Sequence, residues 1–338
     1  MTYSIVIATY NRATELRDTL NSVAEQRTSA AWEVVVVDNN SSDDTATVIT
    51  AAAESFPVPL RYVHEAVQGR SAALNAGIHH ASGEIIVTTD DDVRVEPDWL
   101  DRAGAALARL SCDYVGGRVL PIWRGARPDW LADRPGPHWA VLALLDYGDA
   151  PLEITTRMPL GVNMAFRRAV FDQVGGWDQS IGRKAGTLLG QEVREWCIRA
   201  RARGVRGCYA PELKLRHIIP ADRLEKRYFR RWFYWRGISR ALLYQQQGLD
   251  MESPQETHVD FSHARHVLGT PRYLYRTALR HAGALAGALV RRNAPRAFEH
   301  ELWLCMFMGI VHQRWRDRRQ PFEWTRGMRG ATTRAPAL

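Results

Sequence analysis

Gly83-Glu-Ile-Ile-Val-Thr-Thr-Asp-Asp-Asp-Val93 is the stretch from which the rest of the chain can be read. Residues 84–89 form a short apolar run rich in β-branched side chains, the composition of a strand. It ends on Asp90, Asp91 and Asp92. Three like charges at a strand end repel one another unless a cation or a set of donors offsets them. Hard oxygen ligands at alternating positions suit Mg²⁺ or Mn²⁺, which bind diphosphates while keeping other ligands. Asp90-x-Asp92 is therefore a candidate metal and diphosphate site. The plainer alternative is a solvated acidic turn before the helix that Pro97-Asp-Trp-Leu100 announces.

Upstream, strand and helix patterns alternate. Residues 3–8 read as a strand, and 12–24 as a helix with Leu16, Leu20 and Val23 at helical spacing. Residues 32–37 form a second strand, and 43–53 a helix capped by Ser42 or Asp43. A strand at 60–63 and a helix at 71–80 complete the series. Such βαβ alternation predicts a mostly parallel, doubly wound α/β sheet. Ligands bind such sheets at the carboxyl ends of the strands. Thr9-Tyr-Asn-Arg12, Asp38-Asn-Asn-Ser-Ser42 and the aspartate triplet all fall there.

After Cys112 the pattern changes. Strands are expected at 114–120 and 162–166. Between them, residues 123–159 are rich in Pro, Gly and Trp and read as a long functional loop with one helix at 139–145. Residues 192–203 form a helix. From about Asp222 the chain is helical, basic and aromatic, as in Tyr228-Phe-Arg-Arg-Trp-Phe-Tyr-Trp-Arg236. A polar linker at 245–263, helices at 272–292 and 295–314, and a disordered tail after Arg318 follow.

The 338 residues suffice for one large domain or two smaller ones, and 46% apolar content permits a real core. Cys112, Cys197, Cys208 and Cys305 lack metal-ligand spacing and read as reduced thiols, which favours a cytoplasmic setting. No signal peptide is visible, and the apolar run 302–311 is about half a membrane span. The net charge of +8 conceals an asymmetry: residues 1–193 hold 17 Lys and Arg against 25 Asp and Glu, whereas residues 194–338 hold 28 against 12. The basic half is a footprint for a polyanion such as an anionic lipid headgroup, a lipid-linked pyrophosphate or nucleic acid, or else a solvated Arg-rich surface. No recognition helix or zinc finger supports nucleic acid as a partner.

Six segments together resemble family 2 glycosyltransferases of the GT-A fold. They are Ser4-Ile-Val-Ile-Ala-Thr-Tyr-Asn-Arg12, Glu33-Val-Val-Val-Val-Asp-Asn-Asn-Ser-Ser-Asp-Asp-Thr45, Gly69-Arg-Ser-Ala-Ala-Leu-Asn-Ala-Gly77, the triplet, and Gly161-Val-Asn-Met-Ala-Phe-Arg-Arg168 with Val174-Gly-Gly-Trp-Asp178. The resemblance covers residues 2–220. It implies a Rossmann-like, doubly wound mixed sheet over residues 1–220, with a nucleotide-sugar half at 1–105 and an acceptor half at 106–220. A helical, basic extension at 221–338 would follow.

The resemblance also implies roles. Thr9, Asn11, Arg12 and Asp38 would hold the nucleotide, with Asn75 organising the same pocket and Arg70 nearby. Asp92 would ligate Mg²⁺ or Mn²⁺ on the diphosphate, Asp90 would support the ribose or metal, and Asp91 the sugar. His217, in Lys214-Leu-Arg-His-Ile-Ile-Pro220, falls where a late metal or phosphate contact is expected. The family's acidic pair before its Cys-x-Arg-x-Arg helix is altered in Leu188-Leu-Gly-Gln-Glu-Val-Arg-Glu-Trp-Cys197, where Val193 replaces the aspartate. Glu192 is then the expected general base, with Glu195 one turn later as the alternative. Both could instead be helix-stabilising glutamates.

The expected activity is inverting transfer from a nucleotide-diphosphate sugar, UDP-linked, to a glycan or lipid-linked acceptor hydroxyl in polysaccharide or glycolipid assembly. A non-catalytic nucleotide-sugar or polyanion-binding relative is the alternative. A sugar-1-phosphate nucleotidyltransferase fits poorly, because Thr9-Tyr-Asn-Arg12 contains no glycine. The aromatic and basic run 227–235 and the apolar run 302–311 suggest peripheral association with the inner face of the membrane.

Overall fold

The computed structural model describes residues 1–132, 134–136, 138–247 and 265–319. The chain divides into two compact units, Met1–Phe229 and Arg230–Leu338.

The first unit begins with β1 (Thr2–Thr9), α1 (Ala13–Ala24), β2 (Ala31–Asp38), α2 (Thr45–Ser55), β3 (Leu60–His64), α3 (Arg70–His80) and β4 (Ile85–Asp90). It continues through β5 (Val93–Val95), α4 (Trp99–Arg109), β6 (Tyr114–Trp123), β7 (Leu152–Glu153), β8 (Met164–Arg167), α5 (Ala169–Val174), α6 (Glu192–Ala202) and β9 (Gly207–Ile219). The helix α7 (Lys226–Gln247) starts in this unit and ends in the second.

These strands form one sheet in the order β3-β2-β1-β4-β8-β6-β9-β5, with β7 also paired to β9. The block β3-β2-β1-β4 is parallel throughout. Val34, Val35, Val36 and Val37 of β2 are all fully buried, the near-continuous apolar run of a strand covered on both faces. Leu16, Leu20 and Val23 of α1 are buried at the expected spacing. The sheet then becomes mixed. The strand β8 runs antiparallel to both β4 and β6, β6 pairs parallel with β9, and β5 and β7 pair antiparallel with β9.

Among these strands and helices of the first unit, four went unread in the sequence: β5, β7, α5 and β9. The longest, β9, contains Pro211 and interleaves charged residues with apolar ones, which hides it. Its register against β6 jumps from Gly117↔Ala210 to Arg118↔Lys214, so residues 211–213 loop out and the proline breaks no ladder bond. In the long loop, the expected helix at 139–145 is only a 3-10 turn, Trp139–Leu142, ended by Ala143 in a left-handed conformation. The helix α2 starts at Thr45. Asp43 precedes it and accepts from Thr45 N (3.1 Å) and from Ala13 N (3.1 Å), tying α2 to the start of α1.

One expectation fails outright. Cys112 and Cys208 form a disulfide, so these two cysteines are not reduced thiols, and the cysteine argument for a cytoplasmic setting falls with them. Sequence spacing could not show the pair, because the pairing of β6 with β9 is what brings the two residues together. Cys197 and Cys305 are free and buried.

The second unit contains the remainder of α7, a ribbon of β10 (His266–Val267) and β11 (Thr270–Pro271), α8 (Arg272–Val290) and α9 (Ala294–Arg316). Its core gathers Ala241, Tyr244, Leu274, Met306 and Ile310. Within the run 302–311, Leu302, Cys305, Met306, Gly309 and Ile310 are buried in α9. That run is a packing seam, which corrects its reading as a membrane-facing surface. Among the described residues no helix is long and apolar enough to cross a membrane. The expected polar linker begins inside α7, and its remainder from residue 248 to 263 lies outside the described residues, as does the tail from residue 320.

Candidate active site

A cavity of about 540 Å³ opens at the carboxyl ends of β1 and β4. Here β1 has β2 on one side and β4 on the other, the switch point at which open α/β sheets form a crevice. Thr9, Arg12, Asn39, Gln68, Gly69 and Arg70 line it together with Asp90, Asp91 and Asp92. The loop Arg183–Leu188, His217, Arg223 and Tyr228 close the other side.

Asp90 ends β4 and is held by Arg70, whose Nη2 and Nε lie 2.6 and 3.0 Å from Oδ1. Asp91 and Asp92 occupy the turn into β5 and are buried. Antiparallel pairing of β5 with β9 places Val93 opposite His217. That register brings His217 Nε2 to 3.1 Å from Asp92 Oδ1, while His217 Nδ1 lies 2.9 Å from the carbonyl of Leu142. Arg12 Nη1 contacts the other oxygen of Asp92 at 2.5 Å and Asp91 Oδ1 at 3.3 Å; Arg223 stands 3.6 Å from Asp92.

The electrostatics divide the triplet. Burial disfavours ionisation of Asp92, but His217, Arg12 and Arg223 outweigh it and hold the carboxyl below the usual range. Burial pushes Asp91 up to about 7; Arg12 pulls the other way, and the charges of Asp92 and Asp90 add to the rise.

Glu192 opens α6 and is buried. Its Oε1 lies 3.5 Å from Arg70 Nη1, and its Oε2 is buried with no hydrogen-bond partner among the described residues. Arg70 thus joins Asp90 to Glu192. Val193 turns towards the core and packs against it. Glu195 is placed differently. Both its oxygens meet Arg199, at 2.7 and 2.8 Å, and Arg199 also donates to the carbonyl of Gly176 at 2.8 Å. Glu195 therefore helps fasten α6 to the turn after α5.

The expected nucleotide residues separate into two groups. Thr9 and Arg12 line the cavity, and Asn11 sits between them with a left-handed backbone, its Oδ1 accepting from Ser42 N at 2.7 Å. Asp38 is buried just outside the lining, accepting from Ser41 N (2.9 Å) and from Tyr62 Oη (3.1 Å). Asn75 does not reach the cavity. Its amide donates to the carbonyl of Trp177 at 2.9 Å and accepts from Trp177 N at 2.7 Å, against Gly176, where any Cβ would meet Asn75 Oδ1 at 2.4 Å.

Sequence reading missed Asn39, Gln68, Arg183, Lys184, Arg223 and Tyr228 as lining residues. Asn39 accepts from Gly69 N at 2.7 Å, and Gly69 has φ +145°, which favours glycine at the start of α3. Arg70 N donates to the carbonyl of Arg183 at 2.9 Å, which fastens the cationic loop to α3. The Asn after Asp38 and the Arg-Lys pair were legible as residue types, but nothing local tied them to the triplet.

The donor chemistry fits a divalent cation: a carboxylate and an imidazole face each other in Asp92 and His217, with Asp90 and Asp91 on the same wall. Among the described residues these groups do not already converge as a metal cluster. The two oxygens of Asp92 are taken up by His217 on one side and by Arg12 and Arg223 on the other.

The sequence model of Glycosyl transferase family 2 matches residues 4–175, just over half of the chain. The chain belongs to glycosyl transferase family 2. This glycosyltransferase is 28% identical over 248 residues to the glucosyl-dolichyl phosphate glucuronosyltransferase of Haloferax volcanii, covering 72% of this chain and 77% of that protein. It is 25% identical over 234 residues to the succinoglycan biosynthesis protein ExoM of Rhizobium meliloti, covering 67% and 71%. Among solved structures, the mannosyltransferase PcManGT from Pyrobaculum calidifontis, in complex with GDP-Man and Mn²⁺, superposes with a TM-score of 0.64 at 22% identity, covering 93% of this chain and 87% of that one. The glycosyltransferase thus has the expected GT-A fold, with a mixed sheet and a helical C-terminal region.

Proposed function

We propose that the chain transfers a sugar from a nucleotide-diphosphate sugar, UDP-linked, to an acceptor hydroxyl with inversion at the anomeric carbon, in polysaccharide or glycolipid assembly. The observation that carries this reading is a buried glutamate, Glu192, with an unpartnered oxygen, linked through Arg70 to the aspartate triplet beside one cavity.

In this reading Arg12, Arg183, Lys184 and Arg223 receive the diphosphate, and Thr9, Asn11 and Asp38 hold the nucleoside. A divalent ion, Mg²⁺ or Mn²⁺, held by Asp92 with His217 and Asp90, would supply Lewis-acid neutralisation of the leaving diphosphate. Asp91 faces the sugar. Glu192 takes the proton of the acceptor hydroxyl, whose oxygen attacks the anomeric carbon opposite the departing phosphate. Proton removal matters because the attacking oxygen gains positive charge as its bond forms. Arg70 orients Glu192. The acceptor is taken to be lipid-linked; support comes from the Haloferax relative, whose name specifies glucosyl-dolichyl phosphate. The Mn²⁺ bound in the Pyrobaculum structure supports the ion.

The test is a screen of nucleotide sugars for metal-dependent release of nucleoside diphosphate. Release from one donor, stimulated by an acceptor, is the expected result. Donor binding with no release from any of them would instead mark a non-catalytic binding relative.

A further inference from the structure

We infer that the outward face of α8 docks the chain onto an anionic lipid surface. This extends the reading of a lipid-linked acceptor, and rests on it for purpose but not for its observations.

The helix has two sides. Leu274, Thr277, Ala278 and Ala288 are buried in its own unit, and His281 stacks on Trp303 with ring centroids 4.3 Å apart. On the other side Leu279, Leu289 and Val290 are 73, 61 and 84% exposed, far beyond what a packed helix leaves open. Ala282, Gly283 and Ala286 lie exposed between them. Positions 279, 282, 283, 286 and 290 repeat at helical spacing, so the exposed residues form one apolar stripe.

Cations border that stripe. Arg272, Arg276 and Arg280 are exposed along the first half of α8, and Arg291 and Arg292 just beyond its end. Residues 265–298 contain seven arginines and no Asp or Glu. An apolar face rimmed by positive charge complements an anionic bilayer surface, where acyl chains take the leucines and headgroups meet the arginines. It does not suit a second copy of itself, since an isologous contact would bring two arginine rims together. As no described helix can cross a bilayer, α8 would lie in the plane of the interface.

The experiment is co-sedimentation of the full chain with vesicles of phosphatidylcholine alone or with phosphatidylglycerol at one part in four. Three proteins are compared: wild type, the triple variant L279S/L289S/V290S, and R291Q/R292Q. All changes are at exposed positions. Wild type should bind the anionic vesicles and weaken with salt. The triple variant should bind at least tenfold less, and each lost arginine should cost about fivefold. Nucleoside diphosphate release with a soluble acceptor should be unchanged, so failure of docking is distinguishable from failure of the proposed reaction. Absence of vesicle binding by wild type, or equal binding by the triple variant, would overturn the assignment. So would a concentration-dependent dimer in light scattering that the triple variant abolishes, which would give the face to a second copy.

Discussion

Arg70 and Glu192 stand 122 positions apart in the chain, yet their side chains lie 3.5 Å apart beside the aspartate triplet. The start of α3 and the start of α6 meet there. Arg70 is also bound to Asp90, so one guanidinium spans the groups proposed for donor and acceptor.

The first prediction concerns the two glutamates of α6. Glu192→Gln keeps the shape and removes the basicity, so turnover should fall by about two orders of magnitude or more with donor affinity nearly unchanged. Glu195→Gln should leave turnover within severalfold and instead cost about 1–3 kcal/mol of stability, because Arg199 loses a charged partner. Steady-state kinetics with equilibrium unfolding of both variants separates the roles. Reversed effects would make Glu195 the base.

The second concerns the metal. Asp92→Ala should lose most turnover and weaken Mn²⁺ binding, read by calorimetry in the presence of UDP. Excess EDTA should silence the wild type. Full activity under either condition would remove the ion from the mechanism.

The third is a pH effect away from the site. Glu33 is buried at the far end of β2 and accepts from Ser4 Oγ (2.7 Å), from Ser82 N and Oγ (2.6 Å each), and faces Arg61 at 3.0 Å. Burial alone would raise its pKa, but the bonds from Ser82 and Ser4 and the charge of Arg61 bring the net shift downwards. A depressed carboxylate stabilises above its unfolded pKa of about 4.3, and that contribution is lost as pH falls through the folded value. Glu33→Gln should therefore cost about 1–3 kcal/mol at pH 7, and the gap should be smaller at about pH 3. Urea unfolding at both pH values measures it, and an equal gap at both would contradict the assignment.

The fourth concerns the cysteines. Denatured without reductant, the chain should expose two thiols, and with reductant all four. Burial pushes the Cys197 thiol up to about 12, so in the native protein it should resist alkylation at pH 8. Replacing Cys112 and Cys208 by serine should lower stability by about 2–4 kcal/mol. Four thiols without reductant would show the pair to be open.

The parallel half of the sheet was legible because β1, β2 and β4 carry apolar runs and helical patterns alternate with the strands. Of the far half, only β6 and β8 were. The looped-out Pro211 and the alternating charges of β9 carry no clean period, and β5 is only three residues long. The same distinction holds at the site. Asp90, Asp91, Asp92, Thr9 and Arg12 could be named because they end strands, where clefts form. Arg223 could not, because only the pairing of β5 with β9 delivers it to Asp92. Asn75 was misplaced for a related reason: a polar residue on a helix near the cleft gives no sign of which way it faces, and this one holds the Trp177 backbone. The sequence likewise could not show that the apolar run 302–311 turns inwards while α8 leaves its own stripe open.

The grip of Arg12 and Arg223 on Asp92 changes what an affinity for this cavity means. A cation held at Asp92, as proposed, would trade places with guanidinium groups, and the arginines set free would be the ones proposed to take up phosphate. Ion and diphosphate should then bind as partners, each lowering the cost of the other's entry. Either one titrated alone would understate the site.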